Sequence, residues 1–154
     1  MPLNRDWIGR TAPKGEPVEV PRNDIRRFAL AIGDTNPLYH DREAAKAAGY
    51  PDVIAPPTFL ISASTGGGDG GFIRDPDLRL DFAMVVHGEE SFTFTRPVVA
   101  GDVLEMTQRI DDMAEKGSSE LLTLVTDVVT TSGEHVASIR NVIVSRGTAA
   151  PKEA

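Results

Sequence analysis

The chain has 154 residues, enough for one domain around one sizeable core. Its 16 basic and 23 acidic residues leave a net charge of −7, which argues against nucleic acid or an anionic membrane as partner. Cysteine is absent, so disulfides, thiolate metal sites and a cysteine nucleophile are excluded.

Residues 1–16 carry one aromatic anchor, Trp7, among Gly, Pro and charge, and read as a packed arm. Residues 17–21 (Pro-Val-Glu-Val-Pro) alternate and suggest a short edge strand closed by Pro21. Asn23 is placed to cap a helix over 24–32, with Ile25, Phe28, Ala29 and Ile32 as its apolar stripe and Gly33 as its stop. A second short helix, 42–48, is alanine-rich and ends at Gly49. Residues 53–64 are nearly apolar all round and entered through Pro56-Pro57, which predicts a buried helix. The glycine-rich run 66–71 predicts a flexible loop. It lacks the strand and the lysine that a phosphate-binding loop needs.

The second half carries strand signal over 82–86, 91–96, 103–112, 120–130 and 135–145, the last two joined by a tight turn at Ser132-Gly133. The domain is expected to span 1–146, followed by a disordered tail over 147–154 that lacks periodicity. A buried helix followed by long antiparallel strands gives an α+β class, the sheet wrapped around the helix. No apolar run approaches the roughly 18 residues of a membrane span, and the first residues lack the apolar core of a leader. A soluble, cytoplasmic chain is expected. Such a sheet leaves a long edge and a groove beside the helix, which favours pairing with a second copy.

Chemistry concentrates in residues 33–41, Gly-Asp-Thr-Asn-Pro-Leu-Tyr-His-Asp, which hold a carboxylate, an amide, a phenol and an imidazole. Asp34 and Asn36 would equally serve as an Asx turn between two helices, and His40 as a solvated loop histidine. His87 precedes Gly88-Glu89 at an expected turn into a strand, where a substrate groove would lie, although a satisfied half-buried histidine fits it as well. His135 follows a hairpin and reads as surface. The three histidines show no metal-ligand spacing, so no metal is expected.

The order Gly33-Asp34-Thr35-Asn36-Pro37, with Asp41, Ala45 and Gly49-Tyr50 beyond it, resembles the signature of the MaoC-like (R)-specific hydratases and dehydratases. Pro-Pro-Thr-Phe at 56–59, Val-Val-His-Gly-Glu-Glu-Ser-Phe at 85–92, Arg96-Pro97-Val98 and Gly101-Asp102 are similar to its N-terminal, fungal fatty-acid-synthase-type subgroup. They are similar also to the substrate-binding subunit of mycobacterial (3R)-hydroxyacyl-ACP dehydratases. The resemblance implies a single hot-dog fold acting on acyl thioesters of coenzyme A or acyl carrier protein, with no further cofactor. In such a family an Asp and a His five positions later handle proton and water, and an Ala-His-Gly stretch supplies an oxyanion donor.

Here the fifth position after Asp34 is Tyr39, and His40 comes one place late. Tyrosine, with an ordinary pKa of about 10, is a poor base near neutrality. Ala55-Pro56-Pro57 replaces Ala-His-Gly, and Pro57 has no N–H to donate. The Thr58 N–H is the nearest replacement. The resemblance therefore implies an acyl-binding component that pairs with a dyad-bearing sister chain or with itself. Asp34, His40 and His87 are its candidate acid/base groups, and Asn36, Tyr39, Pro57, Thr58, Phe59 and Gly88 its candidate substrate contacts. A self-sufficient homodimeric hydratase using Asp34 and His40 is the alternative, and a non-enzymatic acyl-thioester-binding protein the reading from another class.

Overall fold

The computed structural model describes residues 1–67 and 71–149, except the side chains of 64–67 and 71. The elements in chain order are β1 (Val18–Glu19), α1 (Arg22–Ala31), α2 (Arg42–Ala47), α3 (Leu60–Gly67), α4 (Gly71–Arg74), β2 (Val85–Phe94), β3 (Val103–Lys116), β4 (Ser119–Thr130) and β5 (His135–Ser145). Short 3-10 turns lie at Arg5–Trp7, Pro37–Tyr39 and Pro76–Leu78.

The strands form one antiparallel sheet in the order β1-β3-β4-β5-β2. β3, β4 and β5 form a meander, while β2 crosses over to pair with β5 and becomes an outer strand. The expected strands 82–86 and 91–96 are thus a single strand, Val85–Phe94, with a bulge between His87 and Glu89. Pairing along β5 overrides the turn-like chemistry of Gly88-Glu89. β3 also runs past its expected end at 112, because a bulge between Ile110 and Asp112 absorbs the extra residue.

α1 begins one residue before Asn23, with Pro21 in the cap position and no side-chain cap bond. Ile25 and Ala29 are buried as expected, whereas Ile32 is half exposed at 50%. α2 is capped by Asp41, whose Oδ1 accepts from the amides of Glu43 and Ala44.

The expected helix over 53–64 splits. Ala55 and Pro56 each precede a proline, which disfavours helical backbone there, and 53–55 run as a strand-like segment bonded to 98–100. Ala55 N donates to Val98 O at 2.8 Å, and Ile54 bridges Val99. The helix starts only at Leu60. Gly66 and Gly67 lie within it and Gly71 opens α4, while 68–70 of the expected glycine loop fall outside the described residues.

Leu60, Phe59, Ile25 and Ala29 pack with Leu104, Val128, Val136, Ala137 and Ile139 in a first apolar cluster. Each fully buried Ile or Leu there contributes about 1.5–3 kcal/mol relative to exposure. A second cluster joins Leu3, Trp7, Leu78, Ile110, Met113, Leu122 and Ile143. The expected packed arm is present: Trp7 is buried and its Nε1–H donates to Asp77 Oδ2 at 3.0 Å. The frayed tail expected from 147 is not. Thr148 is buried, its hydroxyl donates to Ser145 O, and Ala149 N donates to Ser118 O. Residues 150–154 lie outside the described residues.

Among the described residues no helix is long and apolar enough to cross a membrane. The curled antiparallel sheet packed on its central helix is the hot-dog architecture.

Candidate functional site

The loop after α1 is built by its own short polar side chains. Gly33 takes φ +72, which lets the chain leave the helix. Asp34 Oδ1 then accepts from Asn36 N at 3.0 Å, and Asn36 Oδ1 accepts from Leu38 N at 3.1 Å. Both side chains are therefore engaged in consecutive Asx-type turns, the second capping the 3-10 turn Pro37–Tyr39.

That turn decides where the two rings go. Tyr39 points inward and is buried at 8% in the first apolar cluster. Burial, and secondarily the charge of Asp34, push its phenol above the ordinary value. It cannot replace histidine as a base near neutrality. His40 turns back instead, and its Nε2 lies 2.9 Å from the backbone carbonyl oxygen of Asp34, which accepts from it. The imidazole is bonded to main chain and not to the Asp34 carboxylate. No other histidine lies in this loop.

The second half of the site is the entry to α3. Pro56 is buried, Pro57 and Thr58 are exposed, and Phe59 is buried with its ring 5.6 Å from that of Phe28 in an edge-on contact. Among the described residues the Thr58 N–H donates to no protein acceptor, so it stands as a free backbone donor at this turn. Pro57 supplies no donor.

Beside this entry an open groove of about 1080 Å³ runs between α1, the start of α3 and residues 17–19. Phe28, Leu30, Ala31, Phe59 and Ala63 give it an apolar floor, and Glu19, Asp24 and Arg27 stand at it as charged groups. Leu30 is 59% exposed on this side. The groove beside the helix was expected from the sequence, but its walls were not, because they come from three distant segments. The outward Leu30, off the buried stripe of α1, was the available signal.

The remaining candidates separate from this loop. Gly88 sits in the β2 bulge, where an added Cβ would meet Val144 Cγ2 at 2.9 Å and Val142 O at 3.0 Å. Its role here is close backbone approach. His87 does not begin a turn; it lies within β2, half exposed, with Nε2 3.0 Å from Asn141 Nδ2 and Nδ1 4.0 Å from Glu90 Oε2. Glu90 and Asn141 were not anticipated, since 51 residues separate Asn141 from Glu90 in the chain. His135 is exposed as expected, bonded to Thr95 Oγ1 and Ser138 Oγ. Among the described residues no group of three His, Asp or Glu is placed to hold a metal ion.

Comparison with known proteins agrees with this architecture. A family model described as "FAS1-like, dehydratase domain region" matches residues 6–139. UPF0336 proteins of Parafrankia sp. (strain EAN1pec) and Thermobifida fusca (strain YX) are each 50% identical to the chain. The matches cover 99% and 97% of this chain and 100% and 97% of those proteins. Among solved structures, a MaoC-like dehydratase superposes with a TM-score of 0.83 at 25% identity over 91% of the chain, which spans only 42% of that protein. The HadBC (3R-hydroxyacyl-ACP dehydratase) complex from Mycobacterium tuberculosis superposes at 0.76 with 24% identity, covering 92% of this chain and 99% of that one.

Proposed function

Because this chain belongs to the FAS1-like dehydratase domain family, we propose that it is the acyl-binding component of an (R)-3-hydroxyacyl-thioester dehydratase or enoyl-thioester hydratase. The observation that carries this reading is the fate of the Asp34 loop. Its carboxylate caps a turn, its imidazole is bonded to the Asp34 main-chain carbonyl, and the position of the missing histidine holds a buried phenol. The oxyanion side is depleted in parallel, because Pro57 has no N–H and Thr58 alone offers one. Losing one oxyanion donor costs about 2.7–4 kcal/mol of transition-state stabilisation. The chain keeps the fold and an apolar groove while lacking a joined acid/base pair at the family's position.

In this reading the groove beside Phe28 and Phe59 receives the acyl chain of a coenzyme A or acyl carrier protein thioester. The dyad comes from a partner, acting as a cytoplasmic lyase together with it. The outer edge of β2 supports pairing: β2 bonds only to β5, and Phe82, Met84 and Val86 are exposed at its entry. The partner is a dyad-bearing hot-dog sister chain or, in the self-sufficient alternative, a second copy. The HadBC complex named above supports the first, being a dehydratase assembly that contains a chain of this fold.

The test follows the enoyl-thioester absorbance band with crotonyl-CoA and a longer enoyl-CoA. No loss of the band with the purified chain alone, and loss once a sister chain with an Asp-to-His spacing of five is added, supports the proposal. Enzyme-like hydration by the chain alone, abolished by Asp34→Ala or His40→Ala, overturns it.

A further inference from the structure

The inward face of the sheet changes character at one level. On β5 the inward positions are Ala137, Ile139, Asn141 and Ile143, and on β2 they are Phe94, Phe92, Glu90 and His87. Apolar residues of the first cluster lie on one side of this level and those of the second on the other. Between them, two paired strands turn polar together, with Glu90 directly opposite Asn141.

Ordinary strand alternation would put His87 and Glu90 on opposite faces, since they are three residues apart. The bulge at Gly88 resets the parity and turns His87 to the side of Glu90. Gly88 is what allows this, because a side chain there would strike Val144 and the Val142 carbonyl. Asn141 Nδ2 donates to His87 Nε2 at 3.0 Å, so the ring proton sits on Nδ1, towards Glu90 Oε2 at 4.0 Å. Burial pushes the Glu90 carboxyl up, against the opposing effect of His87. Asn141 Oδ1 is buried and has no partner among the described residues. His87 is the histidine whose ring nitrogen faces a carboxylate within 4.0 Å among the described residues.

We infer that His87 and Asn141, beside the Glu90 carboxylate, form a hydroxyl-binding site for the 3-hydroxyl of the acyl thioester. An acceptor nitrogen beside an amide donor matches a group that both donates and accepts. A hydroxyl entering here donates to Nε2, accepts from the Asn141 amide, and replaces their single mutual bond with two. His87 is in this account a specificity-determining contact and not the base. The inference rests on the acyl-thioester reading above and adds what distinguishes the hydroxylated ligand from its saturated analogue.

Calorimetric titration of the purified chain with (3R)-3-hydroxydodecanoyl-CoA and with dodecanoyl-CoA tests it. The wild type should prefer the hydroxylated ligand by about three- to tenfold, the worth of one net hydrogen bond. His87→Phe should bring that ratio close to one, and His87→Gln, which keeps an acceptor, should retain part of it. A ratio near one in the wild type, or a ratio unmoved by both variants, overturns the site while leaving the acyl-binding reading standing. Failure of both ligands to bind overturns the acyl-binding reading, and this site with it.

Discussion

His40 Nε2 lies 2.9 Å from the backbone carbonyl oxygen of Asp34, while the Asp34 carboxylate is turned away to accept from Asn36 N. The two residues that would form a catalytic pair are therefore neighbours joined through main chain. Their geometry supports a turn, with each side chain bonded to main chain.

Asp34→Asn keeps the Oδ1 acceptor of the Asx turn, so it should leave both folding and the hydration rate of the reconstituted pair unchanged. His40→Ala should cost about 0.5–1.5 kcal/mol of stability, one net hydrogen bond, again with no loss of rate. Urea unfolding and enoyl-CoA hydration by the pair measure the two quantities separately. A hundredfold or greater loss of rate in either variant would restore Asp34 and His40 as an acid/base pair.

Ala31 lines the groove from the exposed side of α1. Ala31→Trp should fill part of the groove and weaken acyl-CoA binding about tenfold or more, with a stability change within about 0.5 kcal/mol as for other surface positions. Equal affinity for dodecanoyl-CoA in the variant would place the acyl chain elsewhere.

Gly88→Ala introduces a Cβ 2.9 Å from Val144 Cγ2 and 3.0 Å from Val142 O. It should destabilise the chain by about 1–3 kcal/mol, the usual cost of overpacking, read from the urea midpoint. Unchanged stability would mean that the bulge opens freely and that Gly88 does not fix its shape.

Asp52 links the starts of α1, α2 and the segment leading to α3. Its carboxylate accepts from Arg22 Nε and Nη2, and Arg42 Nε stands 3.4 Å away. The Arg22 guanidinium, against a smaller opposing effect of burial, holds its pKa at about 2 instead of 3.8. The folded state binds a proton less readily than the unfolded chain there. The resulting stability is therefore complete above about pH 4 and is lost as the pH falls towards 2. In Arg22→Ala the stability should fall less steeply over that window, as read by thermal unfolding from pH 2 to 5. An unchanged slope would remove Arg22 as the cause.

Much of the fold was legible because periodicity is local. The stripe Ile25, Phe28, Ala29, the stop at Gly33 and the hairpin at Ser132-Gly133 follow from residues a few positions apart. The Asx turns at Asp34 and Asn36 were legible for the same reason.

What was not legible depends on long-range pairing or on two local preferences in conflict. Pro56-Pro57 reads as a helix start, yet Ala55 pairs with Val98, residues 57–59 form a turn closed by Phe59 N donating to Pro56 O, and α3 begins only at Leu60. Gly88-Glu89 reads as a turn until β5 lies alongside, when the same glycine becomes a bulge. The count from Asp34 to His40 showed a one-residue slip, but the Pro37–Tyr39 turn that folds the ring back on Asp34 O could not be counted from spacing. The polar pair Glu90 and Asn141 exists only in the register of the sheet.

Under the proposed function this chain binds the acyl thioester and a partner supplies the chemistry. The most direct measurement is the rate of loss of the enoyl-thioester band for crotonyl-CoA and a longer enoyl-CoA, first with the purified chain and then with a dyad-bearing sister chain added. A flat trace with the chain alone and rapid loss with the pair are the expected outcome. Rapid loss with the chain alone, abolished by His40→Ala, would contradict it.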